Sequence, residues 1–116
     1  MESSSPSRGQ IWLTAFDAVR AGEPGKNRPA IIVGVDDLLN GSDHDLVVVV
    51  PLSSSAAGSQ LRPVITQDEG VDAASVAICR AVRSVNRKRL IRKLGVVRDD
   101  TLEEVEHALG LILGLR

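Results

Sequence analysis

Tyrosine is absent from the chain, and Trp12 and Phe16 are its only aromatics, 2% of 116 residues. A core must therefore be built from Val, Ile, Leu and Ala, and a plain RNA-binding surface made of stacked aromatic platforms is disfavoured. The single cysteine, Cys79, excludes an intrachain disulfide and a cysteine-rich zinc site. Following Val76-Ala77-Ile78, it reads as a small buried hydrophobe. His44 and His107 stand apart from any nucleophile with an orienting acid, which argues against a hydrolytic triad. Neither a P-loop nor a dinucleotide fingerprint occurs. No apolar run reaches the length of a membrane span, and residues 1–10 lack a cationic segment followed by an apolar one. The expectation is a cytoplasmic protein without a membrane partner.

What is present fits one domain with one core. Met1 to Ser7 is Ser-rich and reads as a disordered tail, leaving 8–116 as the folded unit. Net charge is only −1, but it is unevenly spread. Between Ala73 and Arg98 stand Arg80, Arg83, Arg87, Lys88, Arg89, Arg92, Lys93 and Arg98, with no acid among them. The segment from Asp99 onward is acidic instead. Such segregation makes a local positive field that a polyanion feels more than the overall sum. A solvated cationic face balanced by the acidic segment is the plainer alternative. The cluster Asp36, Asp37, Asp43 and Asp45 surrounds Asn40-Gly41 and does not follow a calcium-loop pattern, so it reads as a solvated turn. No cofactor or metal is expected.

Hydrophobic patterning predicts a mostly β chain with a C-terminal helix. Strands are expected at 10–16, 30–36, 46–52, 62–66, 74–79, 82–85 and 94–97, with a helical turn capped by Asn86. The runs at 30–35 and 46–52 are apolar enough to be buried on both faces. Ser53 to Gln60 has the composition of a flexible loop. Asp100 with Glu103 makes an approximate capping box for a helix bearing Leu102, Val105, Leu109 and Ile112 on one face and ending near Gly114. The helix is also apolar at Ala108, Leu111, Leu113 and Leu115, a stripe wide enough to point to self-association. Short strands with one terminal helix indicate a small antiparallel barrel.

The organising stretch is the turn-rich 22–29 segment running into the 30–35 strand. Pro29 drives Arg28 into an extended conformation, placing a guanidinium where loop becomes strand. Ser53 follows Pro51-Leu52 at the end of another strand. If strands 30–36 and 46–52 pair antiparallel, Arg28 and Ser53 meet at one rim. A forked guanidinium and a hydroxyl suit a phosphate and the charge of a phosphorane-like transition state.

Four segments resemble the MazF/PemK toxins of bacterial toxin–antitoxin pairs, over roughly residues 8 to 115. They are Arg8-Gly9-Gln10-Ile11-Trp12, the loop and strand Gly22 to Val33 with its Arg28-Pro29, Val48-Val49-Val50-Pro51-Leu52-Ser53-Ser54, and Val82-Arg83-Ser84-Val85-Asn86-Arg87-Lys88-Arg89-Leu90. The resemblance implies an SH3-like barrel of the CcdB/PemK type, a homodimer, and metal-independent, sequence-specific cleavage of single-stranded RNA, whether mRNA, tRNA or rRNA. In that chemistry the ribose 2′-hydroxyl attacks the adjacent phosphate, leaving a 2′,3′-cyclic phosphate and a 5′-hydroxyl. Carried over by motif, Arg28 is catalytic in proton transfer and phosphate stabilisation, and Ser53 replaces the family's threonine while keeping its hydroxyl. Lys26, Asn27, Ser54, Arg80, Arg83 and Arg87 are the expected RNA-binding residues. A cognate antitoxin with an acidic tail is implied as a partner.

Three positions depart from the family pattern: Gly22-Glu23 lacks the intervening serine, Arg80-Ala81 replaces an acid or Gln, and Asn86 replaces Asp. Arginine is a poor general base, so the base is left unassigned. The competing expectation on the same fold is a non-enzymatic, CcdB-like toxin that binds gyrase.

Overall fold

The computed structural model describes residues 5–16, 26–36 and 45–115. Seven strands follow in order: β1 (Gln10–Phe16), β2 (Lys26–Ile32), β3 (Leu46–Ser53), β4 (Val64–Ile65), β5 (Ser75–Ala77), β6 (Arg83–Asn86) and β7 (Leu90–Val96), and helix α1 (Asp99–Leu113) closes the chain. The sheet order is β4-β5-β3-β2-β1-β7, with β6 also on β3. Every ladder is antiparallel. The result is the expected small, curled antiparallel barrel with a terminal helix.

β3 is the hub. Val49 pairs with Ile32 of β2 on one edge and with Arg83 of β6 on the other. Further along, Leu52 and Ser53 pair with Ala77 and Val76 of β5. Pro51 lies at the changeover, where its carbonyl accepts the Ile78 N–H at 2.9 Å. A residue with no donor suits a point where one partner strand gives way to another.

Alternation along β1, β2 and β3 fills two cores. Ile11, Ile31, Val50 and Leu52 face one that also holds Ile65, Cys79, Val97, Val105 and Ala108, with Leu102, Leu109 and Ile112 of α1 packed against it. Trp12, Ala30, Ile32, Val47, Val49 and Val85 face the other, with Phe16 and Leu90 alongside. These strands are thus apolar on both faces because both are covered, as their continuous runs imply. Cys79 is buried, and burial pushes its thiol up to about 11.

Several boundaries differ from expectation. β2 begins at Lys26 and ends at Ile32, so Arg28 and Pro29 lie inside a strand and not at its mouth. Proline's fixed φ and the restriction on the residue before it are as compatible with a strand as with a hinge. β4 is confined to Val64–Ile65 because Pro63 cannot donate, although its carbonyl takes the Ala77 N–H. The Ser-rich stretch is partly ordered by mutual backbone bonds between Ser59 and Arg62. β7 starts at Leu90, four residues before the expected strand, since its cations project from a strand that pairs with β1. Asn86 caps its turn as expected, accepting from the Lys88 N–H at 2.9 Å. The expected turn around Asn40-Gly41 falls largely outside the described residues.

Helix α1 is capped differently from the sequence pattern. Its N-cap is Arg98, not Asp100, and no side chain of the N-cap serves it. The Arg98 N–H is instead taken at 2.9 Å by the Glu69 carboxylate, 29 residues upstream. A long-range partner thus replaces the local box, while Asp99 and Asp100 still favour the positive end of the helix. At the other end Gly114 adopts φ 72, the left-handed cap that glycine favours. Among the described residues, no helix is long and apolar enough to cross a membrane.

Glu69 belongs to a 3-10 turn, Gln67–Glu69, that ends in Gly70 at φ 120 and crosses β7 at close range. A Cβ on Gly95 would stand 2.1 Å from the Glu69 carbonyl oxygen, and one on Gly70 would stand 2.6 Å from the Leu94 oxygen. Both neighbours are backbone and cannot rotate away. Gly95→Ala is therefore expected to destabilise the fold by about 1–3 kcal/mol, the usual overpacking cost. Urea denaturation of the variant beside the wild type measures this.

Candidate active site

The β2–β3 ladder runs Ile32↔Val49, Ile31↔Val50, Ala30↔Pro51. Arg28 comes two residues before Ala30 on β2 and Ser53 two residues after Pro51 on β3, so both lie beyond the same end of this ladder. On the other side of β2, Pro29 pairs with Leu13 of β1, and Leu13 in turn pairs with Arg92 of β7. One row across three strands therefore reads Arg92, Leu13, Pro29, and a cleft of about 670 Å³ is lined by all three and by Leu52. β2 contributes Asn27, Arg28 and Pro29 to its lining; β3 and the residues after it contribute Leu52, Ser53, Ser54 and Ser55. β7 adds Arg92, Lys93 and Leu94, and Gly70 to Ala73 with Ser75 complete the lining.

Of the residues expected from sequence, the structure thus brings Asn27, Arg28, Ser53 and Ser54 to one cleft. Lys26 opens β2 immediately before Asn27. Arg80, Arg83 and Arg87 are not among the cleft's lining residues. Arg80 lies on the 3-10 turn Cys79–Ala81, Arg83 opens β6 with its guanidinium 5.4 Å from the centre of the Phe16 ring, and Arg87 starts the turn after β6. The cations that do line it, Arg92 and Lys93, were hidden within the long basic stretch. The β1–β7 pairing, which places Arg92 beside Leu13 and Lys93 beside Trp12, distinguishes them, and it begins before the strand expected at 94–97.

The Ser53 hydroxyl is locally organised. Its Oγ accepts the Ser55 N–H at 3.2 Å and lies 3.2 Å from the Ser55 Oγ. Either hydroxyl can donate in that pair, and when Ser55 does, the Ser53 O–H is left for a ligand. Arg28, Arg92 and Lys93 set three cations against one acid, Asp72, in the lining. This favours an anion, and a guanidinium beside hydroxyls suits phosphate oxygens in particular.

The Gly70 to Ala73 segment of the lining is anchored by Glu69. Its side chain is 1% exposed, and its carboxylate accepts the Thr66 N–H and the Arg98 N–H, each at 2.9 Å, with the Thr66 hydroxyl at 3.1 Å. Burial pushes this carboxyl up, but the Thr66 and Arg98 amides and the Thr101 and Thr66 hydroxyls outweigh it, and the net direction is down. A carboxyl lowered on folding stabilises above its unfolded value, and that stability is lost as pH falls through the lower folded value. Acidification below about pH 4.5 should therefore destabilise the wild type more steeply than Glu69→Gln, whose side chain does not titrate. Near neutrality the substitution should cost about 1.5–3 kcal/mol, typical of hydrogen bonds to a charged group. Denaturation midpoints across that pH range check both statements.

The fold and site define a class of small antiparallel barrels with a terminal helix and a cationic, hydroxyl-lined cleft. The family described as PemK-like, MazF-like toxin of type II toxin-antitoxin system matches residues 7–113, and the chain belongs to it. Among solved structures, the chain is similar to the Form-II crystal structure of MazE-MazF from Deinococcus radiodurans, with 25% identity, a TM-score of 0.84, and 98% of this chain and 100% of that one covered. The Form-III structure from the same organism gives 28% identity and a TM-score of 0.79 over 97% and 99%. An endoribonuclease from a mycobacterial species shares the fold at 20% identity, with a TM-score of 0.77 over 97% and 94%.

Proposed function

We propose that this toxin is a metal-independent endoribonuclease that cuts single-stranded RNA at particular sequences. The observation that carries the reading is the convergence of Arg28 and Ser53 on one cleft with further cations, within a chain of the MazF-like family. In this reading the ribose 2′-oxygen attacks the adjacent phosphorus, and negative charge grows on the non-bridging oxygens. Arg28 grips those oxygens and Ser53 donates its O–H to one of them; donors fixed before charge develops stabilise the transition state more than the ground state. Arg92 and Lys93 hold the flanking backbone. The products are a 2′,3′-cyclic phosphate and a 5′-hydroxyl.

Two partners accompany this reading. A cognate antitoxin with an acidic segment would occupy the cationic cleft and exclude RNA. A second copy of the chain would cover Leu111, Leu113 and Leu115, which are 50%, 56% and 66% exposed at the end of α1.

The test is incubation with single-stranded RNA in EDTA, with the 5′-hydroxyl ends sequenced. Arg28→Ala should lower the cleavage rate by at least roughly 10²-fold, the scale of one lost charge-stabilising donor. Ser53→Ala should also cut slowly, whereas Ser53→Thr, which keeps the hydroxyl, should stay close to wild type. Full activity in Arg28→Ala would reject the site, and no cleavage of any RNA alongside tight gyrase binding would favour a non-enzymatic toxin.

A further inference from the structure

Attack by a 2′-hydroxyl needs a group to take its proton, and neither member of the Arg28–Ser53 pair serves well. The charged guanidinium has donors and no acceptor, and a serine hydroxyl is barely basic. The same limit applies to Arg92 and to Lys93 in its charged form. Among the described residues lining the cleft, Asp72 is the one carboxylate. The nearby acids are committed elsewhere. Glu69 is buried beneath the wall on the Thr66 and Arg98 amides, and Asp68 is bonded to the Thr66 hydroxyl and, at 2.8 Å, to Arg98. His107 lies exposed on α1 and does not line this cleft.

The backbone holds Asp72 in place while its side chain stays exposed. Val71, one residue before, is buried in the core. The Asp72 carbonyl accepts the Gln67 Nε2 at 2.6 Å. Gly70, two residues before, is locked against β7 by the close approach to Leu94 and Gly95. Asp72 is thus carried on a fixed segment of the cleft's lining and is exposed to solvent. A fixed base with solvent access can take a proton from substrate and shed it between turnovers.

We propose that Asp72 is the general base of the cleavage reaction, an assignment that rests on the endoribonuclease reading. The 2′-O–H bond breaks and its proton passes to an Asp72 carboxylate oxygen as the 2′-oxygen bonds to phosphorus. The bond from phosphorus to the 5′-oxygen breaks with its electron pair leaving on that oxygen, which takes a proton from solvent water in the open cleft. The hydroxide so formed removes the proton from Asp72, restoring the carboxylate.

Single-turnover cleavage by Asp72→Asn, read beside its affinity for an uncleavable 2′-O-methyl RNA of the same sequence, tests the assignment. The rate should fall by about 10²- to 10⁴-fold, the usual worth of a general base. Affinity should be unchanged or tighter, because one negative charge has left a cationic cleft. Asp72→Glu, which keeps the carboxylate, should recover part of the rate. A rate within about threefold of wild type in Asp72→Asn overturns the assignment, given the size expected of a base. A parallel loss of 2′-O-methyl RNA affinity does so too, since Asp72 would then hold substrate and not accept its proton. Should the wild type cut no RNA at all, the endoribonuclease reading falls and Asp72 with it; cleavage by wild type and by Asp72→Asn alike removes Asp72 alone.

Discussion

The register of β2 on β3 is the constraint on which the rest of the molecule depends. A slip of one residue turns every side chain of a strand to the opposite face. Here both faces are covered, so a slip would exchange Ile31 and Val50 of one core with Ala30, Ile32 and Val49 of the other. The two sets differ in volume, and neither core accepts the other without voids or overpacking. That mismatch fixes Ala30 opposite Pro51, and with it the end of the ladder beyond which Arg28 and Ser53 lie. The position of the cleft is thus a by-product of core packing several residues away.

The second wall is built by a different device. The turn at Gln67–Glu69 has little apolar surface of its own, and only Glu69 in it is buried. What holds it is a carboxylate between two backbone amides and a glycine-to-glycine crossing against β7. One of those amides belongs to Arg98, the N-cap of α1. The same ionised group therefore closes the start of the helix and supports the cleft wall carrying Asp72. The exposed pairs of Arg98 with Asp68 and Asp100 add little by comparison, because solvent screens them.

Strand number, the terminal helix and its glycine stop were legible because each rests on a local signal. Apolar runs, β-branched residues and the Pro51-Leu52-Ser53 end mark strands without reference to anything distant. Arg98 as N-cap was not legible, since its partner lies 29 residues away and no spacing rule reaches that far. The roles of Arg92 and Lys93 were obscured for a related reason. Within a continuous basic stretch every cation looks alike until strand pairing decides which of them faces the cleft, and Leu13 opposite Arg92 makes that choice. In sequence Asp72 is one acid among several between two strands, and nothing local shows that this segment lines the cleft.

The departures from the family pattern divide along the same line. Asn86 stands where an aspartate is usual, yet its side-chain oxygen still accepts the Lys88 amide, so the turn into β7 keeps its cap without the charge. Losing that negative charge beside Arg87, Lys88 and Arg89 makes the local field more positive, the direction a polyanionic substrate favours. Arg80, where an acid or Gln is usual, is exposed on a turn outside the cleft lining and shifts the field the same way. Gly22-Glu23 lies outside the described residues. Both described substitutions therefore lie outside the cleft that Arg28 and Ser53 line, and change the charge around it. In the endoribonuclease reading proposed above, such a change acts on how strongly and how fast RNA is gathered, with a strong dependence on salt, and not on the bond-breaking step itself.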